Sequence, residues 1–328
     1  MSDKIALKRE FGLVSACALM LGNIIGAGIF LSPGVVLANV GNFWACLGVW
    51  LLTGFIALTG GLCYLELAML IPKSGGPYHY LTKGLGNLVG YEYMWINLVF
   101  TRPASIAVAA ISFGTYISPD LDKEIGVILI LVCSVLVYFS TVWVKRVIEV
   151  CSFIKFAALV VIVITGIIVF CTNGFEFKSG VNYKSRQESS VISSWTTALF
   201  SAFWTYDGWD TLSYVTGEVK NPEKTFPKAT WISLSLIVFL YFLVNMSYNV
   251  VLAPVVIAES DQLVAEFGQA VLGNFGRYFM SAIVIFSTFG SSLSSIFVTS
   301  RLVHAATVKE KPSQKTLWKA FSYLNVDY

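Results

Sequence analysis

Three ionisable residues, Arg102, Lys155 and Asp207, stand inside apolar runs of this chain. At membrane depth such groups are costly unless they face a partner, a wet cavity or a ligand. Asp207 lies in Trp204-Thr205-Tyr206-Asp207-Gly208-Trp209, where Gly208 lets the backbone leave helical geometry. Its carboxylate needs a cation, and the candidates are Arg102 or an amine on a ligand. A second stretch, residues 22–30, reads Gly-Asn-Ile-Ile-Gly-Ala-Gly-Ile-Phe. Its glycines weaken a helix interior and Asn23 brings a polar side chain into the run, so the helix is expected to open there. Freed N–H and C=O groups in hydrocarbon must face protein, a cavity or a ligand. N-terminal half-helix ends attract anions and freed carbonyls accept ammonium hydrogens, so two interrupted helices mark a candidate substrate site of the transporter kind.

The elements that must position these residues are membrane spans. The chain has 328 residues, 56% of them hydrophobic and 12% charged, with a mean hydropathy of +0.73. That excludes an ordinary soluble globular protein and predicts a polytopic, all-helical one in a lipid bilayer. Eight spans are long enough for a hydrocarbon core of roughly 30 Å, at about 12–38, 43–70, 87–117, 125–143, 148–172, 195–218, 229–258 and 272–305. With the N-terminus inside, most Lys and Arg residues, among them Lys73, Lys83, Lys145, Arg146, Lys220 and Lys224, fall on the cytoplasmic side. The positive-inside rule therefore puts both termini in the cytoplasm, with 306–328 as a cytoplasmic tail. Loop placement accounts for the net charge of +3, so no nucleic-acid partner is called for.

Within that frame Arg102 lies about 22 Å of helix beyond the start of its span, too far to reach the cytoplasmic interface. It therefore faces substrate or an ion partner, or is held by backbone carbonyls. Lys155 could snorkel, but the reach is long, and an internal role satisfying carbonyls of a broken helix, where a sodium ion might otherwise sit, is favoured. The run Ser291-Ser292-Leu293-Ser294-Ser295 suits hydrogen bonding between helices. The six cysteines show no metal-type spacing and read as packing residues, and no cofactor is expected.

Several pieces together resemble one family: the stretch 22–30, Lys73-Ser74-Gly75-Gly76-Pro77-Tyr78, Arg102-Pro103, residues 203–209 and Glu218-Val219-Lys220-Asn221-Pro222. Over residues 10–301 the chain is similar to the L-type amino acid transporters, the light chains of heteromeric amino acid transporters within the amino acid–polyamine–organocation superfamily. The resemblance implies a five-plus-five inverted repeat with broken helices 1 and 6, here truncated after about eight of an expected twelve helices, as a single transmembrane domain. It implies sodium-independent exchange of neutral, and through Asp207 also cationic, L-amino acids across the plasma membrane. The substrate carboxylate would meet N–H groups around Gly26, Ala27 and Gly28, and the amine would meet carbonyls of Ile24, Trp204 and Asp207 beside Gly208. Trp204 falls at the family's aromatic gate, Lys155 at the lysine that substitutes for sodium, and selectivity rests on Asp207 and Arg102.

Two departures qualify this. Ala27 stands where the family usually has Ser, which removes a hydroxyl contact worth about 0.5–1.5 kcal/mol. The loop at 118–124 lacks the cysteine through which relatives bond a single-span glycoprotein heavy chain, so any such partner is expected to be non-covalent. The alternative is a truncated, non-transporting isoform or fragment that acts as a regulatory membrane subunit. No nucleophile, base and orienting group recur at useful spacing, so the chain is not read as an enzyme.

Overall fold

The computed structural model describes residues 11–72, 75–173, 183 and 190–307. Lys73, Ser74, most of the polar loop 173–194 and the tail beyond residue 307 lie outside the described residues. Among the described residues the chain is helical, and its only strand-like feature is an isolated parallel bridge between Phe11 and Val219.

The first span is a bent pair, α1 (Leu13–Ile24) and α2 (Gly28–Val40), meeting at 43°. α2 stops at Gly41, whose φ of 73° is open to glycine and whose N–H closes back on the Leu37 carbonyl. Asn42 then starts α3 (Phe43–Leu70) by accepting a hydrogen bond from the Ala45 N–H at 3.1 Å. After Gly75 and Gly76, both at positive φ, comes the short α4 (Pro77–Leu85). The third span runs as α5 (Asn87–Ile96), a wide π turn at Asn97–Thr101, and α6 (Arg102–Ile117). The wide turn lies just before Pro103, whose ring and missing N–H disfavour a regular ladder there. It hands Arg102 to the interior, where the residue is buried.

α7 (Asp122–Phe139) and α8 (Thr141–Asn173) follow, separated by the extended Ser140, so the fourth span ends short of the expected residue 143. The sixth is discontinuous: α9 (Val191–Thr205), an irregular stretch at 206–210, and α10 (Thr211–Tyr214), which leads into a 3₁₀ turn at Thr216–Glu218. α11 (Pro222–Val251), the short α12 (Pro254–Glu259) and α13 (Leu263–Thr307), kinked at Gly273, complete the described chain. Among the described residues, five helices are long and apolar enough to cross a membrane, or six if the bent pair counts as one span. α7 and the broken α9–α10 occupy the other two expected positions.

α1 packs between α8 and α11, α2 against α9, and α13 against α6 and α8. The two interrupted elements therefore lie side by side, enclosed by α8, α11 and α13. Between them and α3 sits a buried aromatic knot of Trp50, Tyr206 and Tyr241, with ring centroids 5.0–6.0 Å apart.

Candidate functional site

The first break falls at residues 25–27, within the glycine-rich stretch. The Ile25 N–H still bonds the Leu21 carbonyl, but Gly26 turns its N–H onto the Ile24 carbonyl at 2.8 Å. The Ala27 carbonyl restarts the ladder by accepting from Phe30 and Leu31. The first N–H groups of α2, around Gly28, have no partner within the helix because none exists one turn earlier, and the helix dipole adds partial positive charge there. A Cβ on Gly28 would lie 2.9 Å from the Thr205 Cα, so glycine is what lets α2 start against the end of α9.

The second break begins where Tyr206 and Asp207 return their N–H groups to the carbonyls of Phe203 and Trp204 at 3.0 Å each. Gly208 then takes a φ of 106°, a conformation that side chains rarely adopt. A Cβ there would also meet Asn23, so the two breaks touch at this point. Asn23 spans them, donating through Nδ2 to Thr211 Oγ1, while Ser294 Oγ donates to its Oδ1 at 3.4 Å. Tyr241 of α11 donates to the Ile24 carbonyl at 3.0 Å and lies 3.4 Å from the Thr205 carbonyl, bracing the ends of α1 and α9 with one hydroxyl.

Lys155 is fully buried on α8. Its Nζ donates to the Gly22 carbonyl at 2.8 Å and to Ser291 Oγ at 2.6 Å, so a fixed ammonium joins the broken first helix to α13. Thus Ser291 and Ser294 of the hydroxyl run bond across helices, whereas Ser292 is buried without a partner among the described residues.

Arg102 and Asp207 are not brought together by a hydrogen bond. The Arg102 Nη2 donates to the Tyr214 hydroxyl at 3.3 Å, and its guanidinium lies over the Tyr214 ring at 5.5 Å. Tyr214 in turn donates to Asp210 Oδ2 at 3.0 Å and lies 2.8 Å from the Tyr93 hydroxyl. Asp207 is exposed and has no side-chain partner among the described residues. Of the aromatic residues in this stretch, Tyr206 is buried with its hydroxyl on the Trp50 carbonyl and Trp209 packs edge-on to Tyr64. Trp204 is partly exposed. A cavity of about 520 Å³, with Phe113, Trp143, Arg146 and Phe289 in its lining, shares no residue with either break.

Asp210, Tyr214, Tyr93 and Tyr241 are the site residues that sequence reasoning missed. Asp210 carried a signal, being a second carboxylate in the same interrupted run. The tyrosines carried none: Tyr93 and Tyr241 gain their partners only from stretches distant in sequence, and Tyr214, four residues after Asp210, meets Arg102 and Tyr93 only in the fold.

Far from the breaks, the start of α1 is clasped to the end of the sixth element. The Phe11 N–H donates to the Glu218 carbonyl at 3.0 Å, and the Lys220 N–H donates to the Phe11 carbonyl at 2.8 Å. Lys145 of α8 pairs with Glu218 at 3.0 Å and sits 5.0 Å over the Phe11 ring.

Comparison with known proteins agrees with this architecture. A family model described as amino acid permease matches residues 11–309. The chain is 37% identical over 311 residues to the large neutral amino acids transporter small subunit 2 of Homo sapiens, covering 92% of this chain and 58% of that protein. It is 33% identical to the Asc-type amino acid transporter 1 of Mus musculus, with the same coverage. To the b(0,+)-type amino acid transporter 1 of Mus musculus it is 31% identical, covering 98% of this chain and 66% of that protein. The chain thus spans little more than half the length of the first two.

Proposed function

The chain belongs to the amino acid permease family, and from that premise we propose that it carries out sodium-independent exchange of neutral and cationic L-amino acids across the plasma membrane, with both termini cytoplasmic. The observation that carries this reading is the buried Lys155 ammonium on the Gly22 carbonyl, beside a break that touches a second break at Gly208. A fixed cation there satisfies backbone carbonyls of the opened helix without a bound metal ion.

In this reading the substrate carboxylate lies at the N-terminus of α2, against N–H groups of Ala27 and Gly28 next to Gly26. The amine is taken by carbonyls of Ile24, Trp204 and Asp207. The Ile24 carbonyl already accepts from Gly26 and Tyr241, and the Trp204 carbonyl from Asp207. The incoming ammonium therefore uses a remaining lone pair or displaces the Tyr241 hydroxyl. Trp204, half-exposed at the end of α9, is the gate that covers the occupied site, and Asp207 receives a cationic side chain.

Uptake of radiolabelled leucine and arginine into proteoliposomes holding this chain, with and without preloaded amino acid, tests the proposal. Uptake that persists when choline replaces sodium and rises with preload is expected. Collapse on sodium removal overturns it. Any heavy-chain glycoprotein partner is held non-covalently, because residues 118–124 hold no thiol. Non-reducing gels should accordingly show no reductant-sensitive high-mass band, and one containing a single-span glycoprotein would refute this.

A further inference from the structure

The Arg102 charge is not spent on Asp207: its guanidinium donates to the Tyr214 hydroxyl, which in turn donates to Asp210. The hydrogen inventory around Tyr214 explains how. Its one hydroxyl proton goes to Asp210 Oδ2. Its oxygen is then free to accept, and it accepts from Arg102 Nη2 and from the Tyr93 hydroxyl. Tyr214 is thus a relay that hands the guanidinium's positive end to the Asp210 carboxylate, with the ring face as a second seat for the same cation. The Asp210 Oδ1 and the Arg102 Nε are both buried without a partner among the described residues. Asp207, three residues earlier and across Gly208, is left exposed and, among the described residues, without a side-chain partner.

We propose that Asp210 is a positioning residue that holds the Arg102 charge on Tyr214, and by doing so reserves Asp207 for the side chain of a cationic substrate. The inference rests on the reading of the paired breaks as an amino acid site. Remove the Asp210 charge, and the carboxylate left in the second break is Asp207. The selectivity position is then neutralised from inside the protein, and the site discriminates against arginine and lysine. Remove Arg102 as well, and Asp207 is released again.

The test is equilibrium binding of labelled arginine and labelled leucine to the purified full chain, read as the ratio of the two affinities. Asp210→Asn should lower the arginine-to-leucine ratio about ten-fold, and the double variant Asp210→Asn with Arg102→Gln should restore it. Tyr214→Phe, which deletes only the relay hydroxyl, should move the ratio the same way by a smaller factor. It carries the test if Asp210→Asn does not fold. A purely structural role for Asp210 would scale both amino acids equally and would not be rescued by a second loss of charge. An unchanged ratio in Asp210→Asn or Tyr214→Phe, or a double variant no better than the single one, overturns the proposal while leaving the transporter reading intact. A wild-type chain that binds neither amino acid overturns both.

Discussion

The two breaks are built differently. At residues 25–27 the interruption is made of backbone, and it is braced from other helices by Lys155 on Gly22, the Tyr241 hydroxyl on Ile24 and the Ser294 hydroxyl on Asn23. At 206–210 the interruption carries two carboxylates of its own, one spoken for by the Arg102–Tyr214 pair and one open. In the proposed reading, the first break offers every amino acid the same N–H and C=O groups. The second offers something only some side chains can use. Under the proposed function, the contrast would separate a part that recognises the common portion of the substrate from a part that tells substrates apart.

The largest expected effect strikes the first break. Lys155→Ala deletes two charge-assisted hydrogen bonds of about 1.5–3 kcal/mol each, partly offset by relaxation, so uptake of arginine and leucine should fall together by roughly 100-fold. A change in their ratio would break the proposed division of labour. Next comes Asp207→Ala at the second break. A carboxylate about 4 Å from a cationic side chain gains a few kcal/mol at an effective dielectric near 20, and desolvation returns part of it. Arginine uptake is therefore expected to drop about ten-fold relative to leucine. Equal losses for both would make Asp207 a residue of backbone shape instead. The smallest effect sharpens the comparison: Tyr241→Phe removes one neutral hydrogen bond to the Ile24 carbonyl, worth about 1 kcal/mol. Affinity for all substrates should shift by a few-fold with the ratio fixed, as isothermal competition would show.

Both breaks were legible in the sequence because glycine content and polar intrusions report backbone geometry locally. The stretch 22–30 contains the observed break at 25–27, and the second interruption is displaced by only a residue or two. Lys155 was placed inside by a reach argument, since a long stem buried deep in an apolar run has nowhere to go. The state of Arg102 stayed open between substrate, ion partner and carbonyls, because the choice depends on Tyr214 and Asp210, more than a hundred positions away. Tyr214 in particular reads as one more aromatic in an apolar helix until its hydroxyl is seen between two charges. The end of the fourth span was misjudged for a simpler reason: hydropathy continues across Ser140, where the backbone turns extended.

The clasp at Phe11 has a mechanical consequence. α1 has 12 residues, which makes a rod of roughly 18 Å ending at the first break. A tilt of only about 10° about that break would swing its far end by roughly 3 Å, enough to part an N–H···O bond. The opposite end of that bond sits on the stretch leading from α10, which follows its own break at 206–210. Two levers pinned together at their tips do not swing independently: either they travel as a pair, with a single degree of freedom between them, or the pin at Phe11 fails before either hinge has turned far.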